Sequence, residues 1–171
     1  MLRSSATASR SAPSSPSGSE SPVRPVRAVL QRVTSASVSV DGVVLGALDR
    51  PGLVVLVGVT HTDGPVEVEW LARKVAELRL LRDERSVTEA GAPVLLVSQF
   101  TLYGDARKGR RPTWSAAAPG PAAQPVVAAV VLALRARGLV VETGTFGADM
   151  ALSLVNDGPV TIILDSPGAP S

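Results

Sequence analysis

Two uninterrupted apolar runs constrain this chain more than any other feature. LVVLVGVT at 53–60, and the apolar part of PVLLVSQF at 93–100, lack the polar alternation of a half-exposed strand. Runs of this length read as strands buried on both faces. Between them lies a helical pattern. Val68, Leu71, Val75 and Leu78 fall on one stripe, with Asp63 as the expected N-cap, Pro65 near the first turn and Glu69–Arg73 as a supporting i,i+4 pair. A second helix is expected to start at Pro125 and stop at Gly138, with Arg135 and Arg137 in its last turn. Upstream, RAVLQRVTSASVSV opens a β-rich body at Arg27, the Asp41–Gly42 pair signals a hairpin, VVLGAL returns, and RPG at 50–52 turns again. Downstream, LVVETG reads as a short strand. LSLV and VTIILD flank the hexapeptide NDGPVT, as two strands or as one interrupted strand. The order β-β-β-β-α-β-α-β-β-β predicts a single α/β domain with a mixed sheet.

Composition decides which chemistries remain. Hydrophobic residues make up 45% but aromatics only 3%, so the core must be built from Val, Leu and Ala. There is no cysteine, which removes disulfides, thiol catalysis and thiolate metal sites, and a single histidine, His61, makes a zinc site improbable. No cofactor or metal is expected. The net charge of +2 permits a polyanionic partner without demanding one. The longest fully apolar run, Val126–Leu134, is far below the ~18 residues of a membrane span. Residues 1–25 are Ser, Ala and Pro with scattered Arg and no hydrophobic period, so they are expected to be a disordered extension. Three readings stand: an unstructured tail, a start codon placed too early with Val26 as the true initiator, and an organelle transit peptide. The folded domain is expected over 26–166, with 167–171 as a tail.

His61, in THTDG, is expected to be a solvated loop residue, and no G-x-S-x-G elbow accompanies it. Neither a P-loop nor G-x-G-x-x-G occurs. GTFG at 144–147 matches the G-x-x-G spacing used against RNA backbone, but two glycines so spaced are common. Arg107, Lys108, Arg110 and Arg111 place four cations within five positions, on a loop following a buried strand. That is either a phosphate-binding cluster or a solvated surface loop. Ser98, Gln99, Phe100 and Thr101 end the same strand in polar groups around one aromatic face. On pattern alone a site and an ordinary strand end are equally supported. Gly158–Pro159 is an odd way to open a strand, since proline cannot donate to a ladder. X-Pro is also where a cis peptide costs least, and the sequence does not choose between cis and trans.

Taken together, RAVLQRV, SQFTLYGD, RKGRRP, ETGTFGADM and NDGPVT, in this order and spacing, closely resemble the D-aminoacyl-tRNA deacylase family, from about Arg27 to Asp165. The resemblance implies a β/β/α layered domain working as a homodimer, and hydrolysis of the ester between a D-amino acid and the terminal adenosine of tRNA. Removal of glycine from mischarged tRNA is implied as well. It implies that Gly158 and Pro159 form a Gly-cis-Pro element that enters the partner subunit's site, and that Arg32 holds this element in orientation. Ser98, Gln99, Phe100 and Thr101 would form the opposite wall. The terminal ribose 2′-hydroxyl would assist water while backbone amides near Phe100 and Thr101 stabilise the oxyanion. Arg107, Lys108, Arg110 and Arg111 would meet tRNA phosphates, and Met150 would line the adenosine pocket or the core. A cytoplasmic location follows, or an organelle if residues 1–25 are a transit peptide.

The chain departs from the family between Arg82 and Val94, where members carry a longer stretch with a Met-Asn pair, and Gly104 and Trp114 stand where Ala and Phe are commoner. Two rivals remain. One is a binding module that keeps the tRNA-end pocket without turnover. The other is a small-substrate esterase with a Thr101 nucleophile, for which no base is at hand.

Overall fold

The computed structural model describes residues 25–167. Of the two expected tails, residues 1–24 and 168–171 lie outside the described residues. Six strands and three helices follow in the order β1 (Arg27–Val40), β2 (Val43–Leu48), β3 (Gly52–Gly58), α1 (Pro65–Glu77), α2 (Val87–Ala90), β4 (Val94–Ser98), α3 (Gly120–Ala136), β5 (Val141–Thr143) and β6 (Ala151–Asp165). Short 3-10 turns cover Arg82–Glu84 and Phe100–Tyr103.

The sheet runs β2-β1-β3-β4-β5, with β6 on the other flank of β1. Strand β1 is antiparallel to β2, β3 and β6, whereas β3, β4 and β5 are mutually parallel. The sheet is therefore mixed, as expected. Parallel neighbours need crossovers, and the segments containing α1 and α3 supply them. Both helices cover the same face and pack on each other there.

One strand fewer precedes α1 than expected, because RAVLQRVTSASVSV is one 14-residue strand. Its first half pairs with β3 and its second half with β2. Ala28 and Leu30 face the helices, while Val33, Ala36 and Val38 face a second, smaller core with Leu48, Val54, Leu95 and Val97. The inward positions change from odd to even between Val33 and Ala36. The cause is a register irregularity against β6 at Val33/Ser35, which re-aims the strand as a bulge does. Strand β1 thereby passes from the central layer into an outer one, and β2 comes to rest on β5. A Cβ on buried Gly46 would lie 2.8 Å from the Thr143 carbonyl oxygen.

The hairpin at Asp41–Gly42 forms as read, with both residues at positive φ (49° and 79°). The runs in β3 and β4 are buried on both faces. The segments either side of NDGPVT form one strand, β6, with the Gly158–Pro159 peptide bond cis within it. The helix starts differ from expectation. Asp63 does not cap α1, because its carboxylate accepts the Val26 amide at 2.8 Å and the Thr60 amide at 2.7 Å. Gly64 takes the cap position, its N–H satisfied by the Glu67 side chain at 2.9 Å. Glu69 pairs with Arg137, just past the end of α3, rather than with Arg73. Helix α3 starts five residues before Pro125, because burial of Ala123 and amide bonds to Pro119 O hold an extra turn in which Pro121 is the early proline. Its end is as read, with Gly138 at φ +82°. No helix among the described residues is long and apolar enough to cross a membrane.

The approach of β2 to β5 is testable. Gly46→Val forces a branched side chain against backbone and should destabilise the fold by about 1–3 kcal/mol in urea denaturation, with an unchanged slope. An unchanged midpoint would mean that the outer layer does not rest there.

Candidate active site

Strand β4 ends at Ser98, and the chain leaves it sharply. The Gln99 amide donates to Val57 O at 2.7 Å, and residues 100–103 turn in a 3-10 helix back over β3. Gly58 permits this approach, since a Cβ there would lie 3.1 Å from both the Leu102 Cβ and the Tyr103 ring. Arg27 clamps the turn. Its guanidinium sits 5.7 Å from the Tyr103 ring centroid, donates to Leu102 O at 3.3 Å and pairs with Asp165 at 2.6 Å. Burial, followed by the nearby Asp63 charge, pushes the Tyr103 hydroxyl well above its usual range, so it stays protonated.

Beside the turn lies a cavity of about 650 Å³, lined by Ser98, Gln99, Phe100, Trp114, Phe146, Met150 and neighbouring residues of the α3 start. A smaller apolar cavity of about 310 Å³ adjoins it between α3 and the strand ends, sharing Ser98, Phe146 and Met150. Phe100 is 57% exposed and meets Trp114 edge-on at 5.5 Å. Gly144 lets Met150 reach the cavity wall, as a Cβ there would fall 2.3 Å from the Met150 sulfur. The Thr101 hydroxyl accepts a close hydrogen bond from the Gln99 amide, and Thr101 does not line either cavity. His61 is exposed, its Nε2 contacts Ser115 O at 3.2 Å, and it lines neither cavity. Among the described residues no group of three or more His, Asp or Glu side chains converges as metal ligands.

The basic loop follows. Asp105 and Thr113 close its base, and Gly109 sits at φ +72°. Arg107 turns back onto Asp105 at 2.6 Å and holds that carboxyl well below the usual range. Lys108, Arg110 and Arg111 are exposed and face solvent, so the loop presents three cations beside one that is already paired.

The NDGPVT hexapeptide lies elsewhere. Gly158 and Pro159 are exposed, and neither lines either cavity. Asn156 holds the turn from inside, its Nδ2 donating to Arg32 O at 2.9 Å and to Val160 O at 3.1 Å. Arg32 Nε donates to Asp157 O at 3.1 Å and lies 3.3 Å from the Asp157 carboxylate, and its other end donates to Leu80 O at 3.3 Å. Arg32 thus bonds the residue that immediately precedes Gly158–Pro159. Within one chain the hexapeptide does not meet the Ser98–Thr101 segment. Ser98 pairs with Val57, which is level with Ala28 and Leu164, whereas the hexapeptide is level with Gln31 to Val33, three strands away from β4. Strand spacing and rise put the two motifs roughly 20 Å apart.

Sequence reasoning missed Arg27, Asn156, Asp157 and Phe146. Asn-Asp ahead of Gly-Pro was a usable signal, since such side chains bond their own turn. The Arg27–Asp165 pair, 138 residues apart, had none.

Gly104 and Trp114 prove to be one feature. A Cβ on Gly104 would lie 2.6 Å from Trp114 Cζ3, so the larger ring fits because position 104 has no side chain.

This layered sheet also occurs in solved proteins. A structure described as c-Myc DNA Unwinding Element Binding Protein superposes with TM-score 0.76 at 38% identity, covering 83% of this chain and 99% of that one. Another, described as a probable eukaryotic D-amino acid tRNA deacylase, superposes with TM-score 0.72 at 17% identity, a likeness of fold alone. The fold is thus one that these proteins share, here with a cavity at the end of β4. The family model described as D-Tyr-tRNA(Tyr) deacylase matches residues 29–165. The D-aminoacyl-tRNA deacylase of Kineococcus radiotolerans is 70% identical over 141 residues, 82% of this chain and all of that protein. That of Thermobifida fusca is 65% identical over 140 residues, 82% and 99% of the respective chains. The chain belongs to the D-aminoacyl-tRNA deacylase family.

The Gly104–Trp114 coupling makes a double-mutant test. Gly104→Ala should cost about 1–3 kcal/mol, and adding Trp114→Phe should recover more than half of it. Additive losses in thermal or urea unfolding would separate the two positions.

Proposed function

We propose that this protein hydrolyses the ester of D-aminoacyl-tRNA, releasing the free D-amino acid and tRNA, and that each active site is completed across a homodimer. The observation that carries the dimeric site is the separation of the two motifs. A tightly held turn with bare main chain at Gly158 stands exposed, roughly 20 Å from the Ser98–Thr101 segment of its own chain, so it serves the cavity of a second copy. D- and L-esters carry the same groups, and discrimination requires an obstacle in one direction around the α-carbon. Main chain at Gly158–Pro159, fixed by Arg32, Asn156 and Asp157, is stiffer than a mobile side chain. Glycine has no side chain for such a wall to reject, so glycyl-tRNA mischarged on an alanine tRNA is a second substrate.

The cavity takes the terminal adenosine and its amino acid, with Phe100, Phe146 and Met150 as apolar surfaces and Ser98 and Gln99 as polar ones. Water attacks the ester carbonyl. The C–O bond to the ribose 3′-oxygen breaks, and the proton of water passes by way of the neighbouring 2′-hydroxyl to the departing oxygen. The backbone N–H groups of Phe100 and Thr101 open a 3-10 turn, where no earlier residue of the turn accepts them, and they are available to the developing oxyanion. Thr101 lacks a base and its hydroxyl is engaged by Gln99, which argues against a nucleophilic role. Lys108, Arg110 and Arg111 meet the acceptor-stem phosphates, with Arg107 shaping the loop through Asp105. Proofreading of charged tRNA suits a cytoplasmic enzyme.

Two measurements test this. Matched D- and L-aminoacyl-tRNA should show rapid loss of the D-ester alone, and Thr101→Ala should retain turnover. Binding of tRNA with no hydrolysis of either ester would instead support a binding module. For the shared site, a variant with a damaged Gly158–Pro159 turn and one with a damaged Ser98–Thr101 segment are mixed and allowed to exchange subunits. Mixed dimers keep one intact site, so about a quarter of wild-type activity should return. No recovery would place both motifs in one chain's site.

A further inference from the structure

The shortened segment after α1 begins at a residue with no part in the reading above, Arg82. From the geometry we infer that Arg82 is a positioning residue for the chiral wall, fixing the Gly158–Pro159 turn through a two-pronged ion pair with Asp157; this rests on the function proposed above. Arg82 Nε donates to Asp157 Oδ2 at 3.2 Å, and its terminal nitrogen donates to Oδ1 at 2.7 Å. Both carboxylate oxygens are thus engaged by one guanidinium, the arrangement that fixes direction as well as distance. The Asp157 side chain is 14% exposed and the Arg82 side chain 70%, so the partner is sheltered while the arginine closes it from outside.

The segment around Arg82 supports the same role. Leu81 N donates to Arg85 O at 2.9 Å, closing residues 81–85 into a tight turn. Asp83 and Glu84 inside it have φ of 61° and 53°, the left-handed region that residues with a Cβ rarely adopt. Just before the turn, Leu80 O receives Arg32, the same arginine that donates to Asp157 O. The hexapeptide is therefore held by two arginines on two sides. Arg32 grips its main chain from within the sheet, and Arg82 grips its carboxylate from the short loop. The Arg82 guanidinium first, and Arg32 after it, hold the Asp157 carboxyl below the usual range, as expected for a carboxylate that is part of the clamp.

A clamp on the wall has a signature that general loosening lacks. When the turn moves, the L-ester should begin to fit, so selectivity falls before affinity does. The test uses full-length protein with D- and L-tyrosyl-tRNA, comparing wild type, Arg82→Ala, Arg82→Lys and Arg79→Ala. Arg79 lies on the same segment but pairs with Glu89. Hydrogen exchange of the peptide covering 156–161 is followed in parallel. In Arg82→Ala the ratio of D- to L-hydrolysis should drop about tenfold, and exchange at 156–161 should accelerate. Lysine keeps the charge but not the fork, so it should restore part of both effects. Arg79→Ala should change neither. An unchanged ratio with unchanged exchange in Arg82→Ala overturns the inference, as does an equal response in Arg79→Ala. If the wild type hydrolyses neither ester, the proposed function fails by itself, and the exchange data alone then decide whether Arg82 holds the turn.

Discussion

Strand β1 is the element on which the rest depends. It is hydrogen-bonded on both flanks along most of its length, to β6 on one side and to β3 and then β2 on the other. Because it changes its inward parity near Val33, one strand lines two cores, the helix-covered one through Ala28 and Leu30 and the smaller one through Val33, Ala36 and Val38. Without that change the Val and Ala positions of its second half would face outward, and the outer layer would have no apolar surface to bury. The same region carries Arg32, so the irregularity that makes two layers also sets the residue that holds NDGPVT.

The functional elements are therefore placed by the sheet and not by local folding. The 3-10 turn at Phe100–Tyr103 is pinned by Arg27 at the start of β1 and by Asp165 at the end of β6. The hexapeptide is pinned near the middle of the same two strands by Arg32 and Asn156. The two points of control thus lie on one strand pair, β1 and β6. Glycines act here by allowing close approach. Gly58 admits the turn, Gly104 admits the Trp114 ring and Gly144 admits Met150. At Gly104 and Gly144 a side chain would push a cavity residue, Trp114 or Met150, out of position.

Local chemistry made much of this legible. The apolar runs of β3 and β4, the Asp41–Gly42 hairpin, the apolar stripe of α1 and the glycine stop after α3 are set by residues close in sequence, so reading the chain was enough. The motifs that carry the family resemblance were legible for the same reason, being contiguous. The errors have a common origin. Asp63 left its cap for the amides of Val26 and Thr60, and Glu69 left Arg73 for Arg137, because a distant partner competed with a near one. Helix α3 began early because burial of Ala123 outweighed the usual place of a proline.

By itself, then, the sequence determined the element types, the valine- and leucine-rich core, the exclusion of thiol chemistry and the identity of the motifs, since these depend on composition and on contacts a few residues long. Only the tertiary structure decided that SQFT and NDGPVT lie far apart in one chain, that Arg107 is spent on Asp105, and that Arg82 reaches Asp157 75 residues away. The physical reason is the period of a strand. Pairing partners are chosen by register across the sheet, and a one-residue shift in β1, invisible in any local pattern, decides which side chains meet.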